Sequence, residues 1–284
     1  MITQSIEIKI VRMEEGGLLN RSDRVALEEP LEIRLDFLEG NGRRQKSISI
    51  TMRTPGNDEE LAAGFLFTEG ILRSPEDILE ISGCGPSTGA HQGQNIVKVT
   101  LADSAKVEWP KLERHFYATS SCGVCGKASL EALEVQGVQS IPQKGFEIFS
   151  KTISTLAGKL RSHQSVFDQT GGLHAAGIFT SDGDLIALRE DVGRHNAVDK
   201  LLGAQFLDGK TPLSSHLLFL SGRASFELVQ KALVAGIPMI AAVGAPSSLA
   251  IELAKRFNLS LLGFVREGRF NCYHGEWRLR GGEV

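Results

Sequence analysis

Apolar and polar residues alternate from the beginning of the chain. SIEIKIVRM (residues 5–13) has the two-residue period of a strand with one covered face. PLEIRLDFLEGNG and RRQKSISITMRTPG flank Gly40-Asn41-Gly42 and predict a β-hairpin. The period then lengthens: DEELAAGFLFTEGIL places apolar residues at helical spacing, with Asn57 or Asp58 as the expected cap. QNIVKVTLA predicts another strand, GKASLEALEV a short helix, and residues 146–163, FEIFSKTISTLAGKLRSH, an amphipathic helix joining two halves.

The second half is more regular. HAAGIFTSDGDLIALRED predicts two strands around an Asp182-Gly183 turn, followed by the helix GRHNAVDKLLGAQFL. Strand HLLFLSG, helix ASFELVQKALVAG, strand PMIAAVG, helix SSLAIELAKRFN and strand LSLLGFVR come next. Strands alternating with helices at this spacing predict βαβ units and a parallel sheet. The expected organisation is a β-rich part over 1–145 and an α/β part over 146–284.

Composition narrows the partners. The 284 residues carry a net charge of −3, so no global basic field points to nucleic acid or an anionic membrane. Residues 1–13 lack the apolar core of a signal peptide, and runs such as IPMIAAVGA are too short to span a bilayer. A cytoplasmic protein is expected. Four cysteines, two of them isolated (Cys84 and Cys272), do not make a secreted disulfide framework.

Three strands of the second half run into loops of small and polar residues: Ser221–Ser225, Gly244–Ser248 and Phe264–Arg269. If the strands are parallel, these loops share the carboxyl edge of the sheet, where open α/β sheets bind ligands. Two of the loops lead into helix N-termini, and Arg223, Arg266 and Arg269 add cationic forks, a combination suited to a phosphorylated ligand. Turn chemistry with solvated arginines accounts for any one loop as well. No Walker lysine loop and no GxGxxG is present.

Residues 190–200, EDVGRHNAVDK, gather polar groups at a strand-to-helix junction. Asp191 is a candidate N-cap, and His195 and Asp199 stand one helical turn apart as a candidate pair; a solvated helix start accounts for Asp191 and Lys200 but less well for the run Arg194-His195-Asn196, which favours a functional surface here. His174, after Gly171-Gly172, fits a structural role better than a ligand role.

The two remaining cysteines form a CxxC in TSSCGVCGK, residues 119–127. Structural zinc needs four ligands, and the histidines His115, His174, His195 and His274 are scattered. A serine- and glycine-rich segment suits a thiolate that must reach between partners. Lys127 and a following helix N-terminus would lower the thiol pKa.

Taken together, TPGNDEELAAGFLFTEGIL, TSSCGVCGK, TGGLHAAGIF, EDVGRHNAVDK, the stretch from SGRASFELVQ to SSLAIELA, and GFVREGRFNCY resemble the formate dehydrogenase accessory sulfurtransferase family, FdhD. The resemblance runs from about residue 20 to the C-terminus. It implies an α/β fold with a cytidine-deaminase-like three-layer C-terminal domain and a smaller β-rich N-terminal subdomain, usually as a homodimer. It implies sulfur carriage as a cysteine persulfide, from a cysteine desulfurase to the molybdenum bis(guanine dinucleotide) cofactor of formate dehydrogenase. The persulfide cysteine falls on Cys122, with Cys125 as helper thiol. The cofactor-binding stretch falls on Phe264, Val265, Arg266, Glu267, Gly268 and Arg269, where GDP is expected to mimic the cofactor. Deaminase chemistry is not implied: His174-Ala175-Ala176 lacks the glutamate of His-x-Glu, and no proline precedes Cys122. Two other classes fit the same cysteines: a redox chaperone using a reversible Cys122–Cys125 disulfide, and a zinc-binding scaffold.

Overall fold

The computed structural model describes residues 3–40, 42–88, 93–105 and 137–281. The chain opens with a two-stranded ribbon, β1 (Ser5–Glu14) paired antiparallel with β2 (Gly17–Ala26). A four-stranded sheet follows, in the order β4 (Gly42–Arg53), β3 (Glu29–Glu39), β6 (Gly93–Leu101), β5 (Ile78–Thr88). The expected hairpin is β3–β4. The central pair β3–β6 is parallel, because the chain passes through helix α1 (Asp58–Thr68) and β5 before returning.

Neither Asn57 nor Asp58 caps α1 through its side chain. Asn57 takes a left-handed backbone, φ 57°, and the Asp58 carboxylate instead receives Arg53 Nε and Nη2 at 2.9 and 2.8 Å. Arg53 is fully buried, so its charge has to be met there, and the bidentate fork meets it.

The second half forms a six-stranded sheet, ordered β13 (Arg269–His274), β12 (Ser260–Arg266), β11 (Met239–Ala242), β10 (Leu217–Leu220), β8 (His174–Phe179), β9 (Leu185–Asp191). Strands β10, β11 and β12 are parallel, as the βαβ spacing predicts. Both ends of the sheet are antiparallel hairpins. The 146–163 segment gives α2 over Ser150–Arg161, and a short helix α3 (Ser165–Thr170) follows it. Ile148–Phe149 before it form β7, which pairs in parallel with β14 (Leu279–Arg280).

Strand alternation decides what each face of the six-stranded sheet touches. Leu217, Phe219, Met239 and Ala241 meet Ile153, Leu156 and Leu160 of α2. Leu218, Leu220, Ile240 and Ala242 point the other way, into a core shared with α4 (Arg194–Leu207), α5 (Phe226–Val234) and α6 (Ser248–Arg256). That core continues through α1 to Leu31, Ile33, Leu35, Val97 and Val99 of the four-stranded sheet. Helix α1 crosses α4 backbone to backbone at two glycines. A Cβ on Gly64 would lie 1.8 Å from the Asp199 carbonyl oxygen, and one on Gly203 1.9 Å from that of Glu60. The mixed α/β class read from the sequence is what the chain forms. Among the described residues no helix is long and apolar enough to cross a membrane.

Candidate functional site

The three small-residue loops lie side by side on one sheet edge. The Gly244 amide donates to Gly222 O at 2.8 Å, and the Phe264 amide donates to Gly244 O at 3.2 Å. Ala224 bridges Pro246 in parallel register, so the ladder runs on past the strand ends. Side chains would break this contact: a Cβ on Gly244 would stand 2.9 Å from Gly222 O, and one on Gly263 2.9 Å from Pro246 Cδ. The edge therefore needs glycine at both positions. Two of the loops open α5 and α6, as the sequence predicts, and Ser247 caps α6 by accepting from the Ala250 amide at 3.2 Å.

The third loop has a different form from the one expected. Phe264, Val265 and Arg266 end β12, Glu267-Gly268 is a two-residue turn, and Arg269 begins β13. A register shift between Gly263 and Arg266 bulges Phe264 into a left-handed backbone, φ 55°, with its ring exposed. Strained non-glycine residues of this kind concentrate at ligand sites. Val265 is buried. Arg266 and Arg269 stand directly opposite each other across the hairpin, a like-charge pair that an anion would relieve. Arg266 Nη1 donates to Val243 O at 2.8 Å, tying the hairpin to the next strand.

Antiparallel β8 and β9 bring a second set of groups to the same edge. His174 begins β8, and its Nδ1 would sit 3.2 Å from a Cβ on Gly222. Burial lowers the His174 pKa, and the nearby charges of Arg194 and His195 lower it further. His195 Nε2 lies 3.2 Å from Ser225 Oγ and 3.7 Å from Glu227 Oε2. The His195 ring beside it holds the Glu227 carboxyl down to about 2. Arg194 Nε is buried with no hydrogen-bond partner among the described residues. His174 thus belongs to the edge rather than to the core, and the signal that could have found it is its register position opposite Asp191.

Residues 190–200 depart from the sequence reading. Gly193, not Asp191, occupies the N-cap of α4, and the helix start is not solvated. Asp191 and Lys200 are buried, with Lys200 Nζ 2.7 Å from Asp191 Oδ2. Asp191 also accepts from the Gly193 amide at 2.8 Å, the Thr54 amide at 3.1 Å and Asn196 Nδ2 at 3.2 Å. Lys200 donates to Thr54 O at 2.7 Å, and Asn196 Nδ2 to Met52 O at 2.7 Å. The TPGN and EDVGRHN motifs are therefore one unit: the chain between β4 and α1 clamps the N-terminus of α4 and so fixes Arg194 and His195. Nor do His195 and Asp199 pair. Asp199 faces inward, where it meets Lys231 at 2.8 Å and accepts from Thr68 Oγ1 at 2.9 Å.

Cys122 and Cys125 lie outside the described residues. Among the described residues no three His, Cys, Asp or Glu side chains gather as a metal site. What the edge offers is a row of glycine loops, two helix N-termini, an exposed aromatic ring and the arginines 194, 223, 266 and 269. That inventory suits a nucleotide carrying phosphates.

Known proteins resemble this chain over most of its length. A protein named sulfur carrier protein FdhD from Streptomyces avermitilis is 48% identical over 275 residues, covering 95% of this chain and 94% of that one. The protein of the same name from Mycobacterium tuberculosis is 46% identical over 270 residues, 93% of this chain and 95% of that one. A crystal structure from Desulfotalea psychrophila, described as a formate dehydrogenase accessory protein, superposes with a TM-score of 0.73 at 28% identity. The match covers 98% of this chain and 100% of that one. The FdhD/NarQ family model matches residues 26–280, so the chain belongs to the FdhD/NarQ family.

Proposed function

We propose that this chain is a sulfur carrier that serves formate dehydrogenase. The Cys122 thiolate attacks the outer sulfur of a cysteine desulfurase persulfide. The desulfurase cysteine leaves as a thiolate, and the sulfur stays on Cys122. Delivery follows when Cys125 attacks Cys122 Sγ: hydrosulfide departs toward the molybdenum bis(guanine dinucleotide) cofactor, here the substrate, and a Cys122–Cys125 disulfide remains. A thiol reductant then restores both thiols. The names of the relatives and the TSSCGVCGK motif support the sulfur half of this reading.

The observation that carries the cofactor half is the hairpin at the sheet edge, where Arg266 and Arg269 face each other beside the exposed Phe264 ring. The arginine forks suit the pyrophosphate, and the aromatic ring suits guanine stacking. Calorimetric titration with GDP tests this. Arg269→Ala removes a charge-assisted contact worth roughly 1.5–3 kcal/mol, so GDP should bind about 10- to 100-fold more weakly. Unchanged affinity would remove the nucleotide from this edge.

A further inference from the structure

Helix α4 reaches about 20 Å from Arg194 to Leu207 at helical rise, so its two ends serve different surfaces. Its N-terminus belongs to the sheet edge. Its C-terminal end closes a groove of about 460 Å³ with the first turn of α1 and with β9. Five charged residues line the groove: Glu59, Glu60, Arg189, Asp208 and Lys210. Both cations are already engaged. Arg189 Nη2 donates to Glu60 Oε1 at 2.7 Å, and Lys210 Nζ donates to Asp208 Oδ2 at 2.8 Å. Glu59 is exposed and has no ion pair among the described residues.

A second group in the groove is unmet. Gln205 lines it and is only 5% exposed, yet its carboxamide makes no hydrogen bond among the described residues. Buried carboxamides are normally bonded, and this one offers both an acceptor and two donors. Ile186 and Leu207, 48% and 36% exposed, line the same groove. Exposed apolar residues set among polar ones mark protein interaction sites.

We propose that this groove docks a segment of a partner protein that carries an arginine between apolar residues. A guanidinium has five donors and can serve the Glu59 carboxylate and the Gln205 carbonyl together. The Gln205 N–H groups then need an acceptor, which a backbone carbonyl of the same segment supplies. A free amine or a metal ion would meet Glu59 and leave those N–H groups unmet. An acidic segment would meet Glu59 as a like charge. The apolar flanks cover Ile186 and Leu207. Side chains, not an added strand, carry the recognition, because the β9 edge is blunted: a register shift leaves Ile186 out of the ladder, and Arg189 Nη1 occupies Leu188 O at 2.8 Å. A partner held here leaves the sheet edge, at the other end of α4, uncovered.

The test titrates the full chain with the peptide acetyl-Ala-Leu-Arg-Leu-Ala-amide and follows side-chain amide signals by heteronuclear NMR, the Gln205 pair being assigned by its loss in Gln205→Met. The Gln205 signals should shift and saturate. The citrulline counterpart, which keeps the shape without the charge, should bind about fivefold more weakly, and so should the arginine peptide to Glu59→Gln, the loss expected for one exposed ion pair. Gln205→Met should also weaken the peptide yet keep its urea midpoint, because no hydrogen bond within the chain is lost. Gln205 signals that do not move would overturn the proposal, as would a citrulline peptide that binds equally well. Acetylarginine methylamide binding as tightly as the peptide would overturn it in favour of a site for small cations. A lowered urea midpoint in Gln205→Met would show the carboxamide bonded within the chain and overturn it too.

Discussion

The contact between Asp191 and Lys200 makes a quantitative claim about the clamp that holds the α4 N-terminus. Both side chains are buried, and the ion pair is 2.7 Å long. Their neighbourhoods are unequal. Asp191 has three further donors, the amides of Thr54 and Gly193 and Asn196 Nδ2, whereas the other hydrogen bond of Lys200 is to Thr54 O. Asp191→Ala strands a buried ammonium and costs about 3–5 kcal/mol. It also orphans two amides, so this range is a lower bound. Lys200→Met leaves a carboxylate that is still held by three donors and should cost only about 1.5–3 kcal/mol. The double variant buries no unmatched charge, so it should be no less stable than Asp191→Ala alone. Urea unfolding followed by circular dichroism measures all three. Losses that add within about 0.5 kcal/mol would show no coupling and refute the reasoning. So would an Asp191→Ala loss below about 1 kcal/mol, because a buried lysine would then have found another partner.

Two more predictions concern the crossing of α1 with α4 and the histidine at the sheet edge. Gly64→Ala places a methyl carbon against the Asp199 carbonyl and must push α1 off α4, at a cost of about 3 kcal/mol or more, read as a lowered urea midpoint. His174 has a folded pKa below its ordinary 6.5, so the unfolded chain takes up the proton first and stability falls as pH drops through the window below about 6.5. His174→Gln should flatten that slope in urea titrations at several pH values, and an unchanged slope would place the titration elsewhere.

The second half was legible in the sequence because its strands are short apolar runs and α2, α5 and α6 are amphipathic, with glycine, serine, proline or asparagine at the breaks between elements. Its sheet edge could be read from the same punctuation. What escaped depends on distant partners. GLLNRSDRVA is polar over most of its length and becomes β2 only because β1 pairs with it. ILEISGCGPST, broken by glycine and proline, becomes the edge strand β5 through its pairing with β6. Lys200 reads as a solvated helix residue until Thr54, 146 positions earlier, closes over it. Asp199 turns from His195 because Thr68 and Lys231 wait on the buried side of α4. The hairpin form of 264–269 was hidden in the same way: β13 has to fold back before Arg266 and Arg269 face each other.

The central claim is that this chain carries sulfur on Cys122. The most direct test incubates the protein with a cysteine desulfurase and cysteine, then weighs the tryptic peptide holding Cys122 and Cys125. The account predicts one added sulfur atom on Cys122, removed by a thiol reductant and absent in Cys122→Ala. Two unmodified thiols, or a Cys122–Cys125 disulfide that never carried added sulfur, would contradict it.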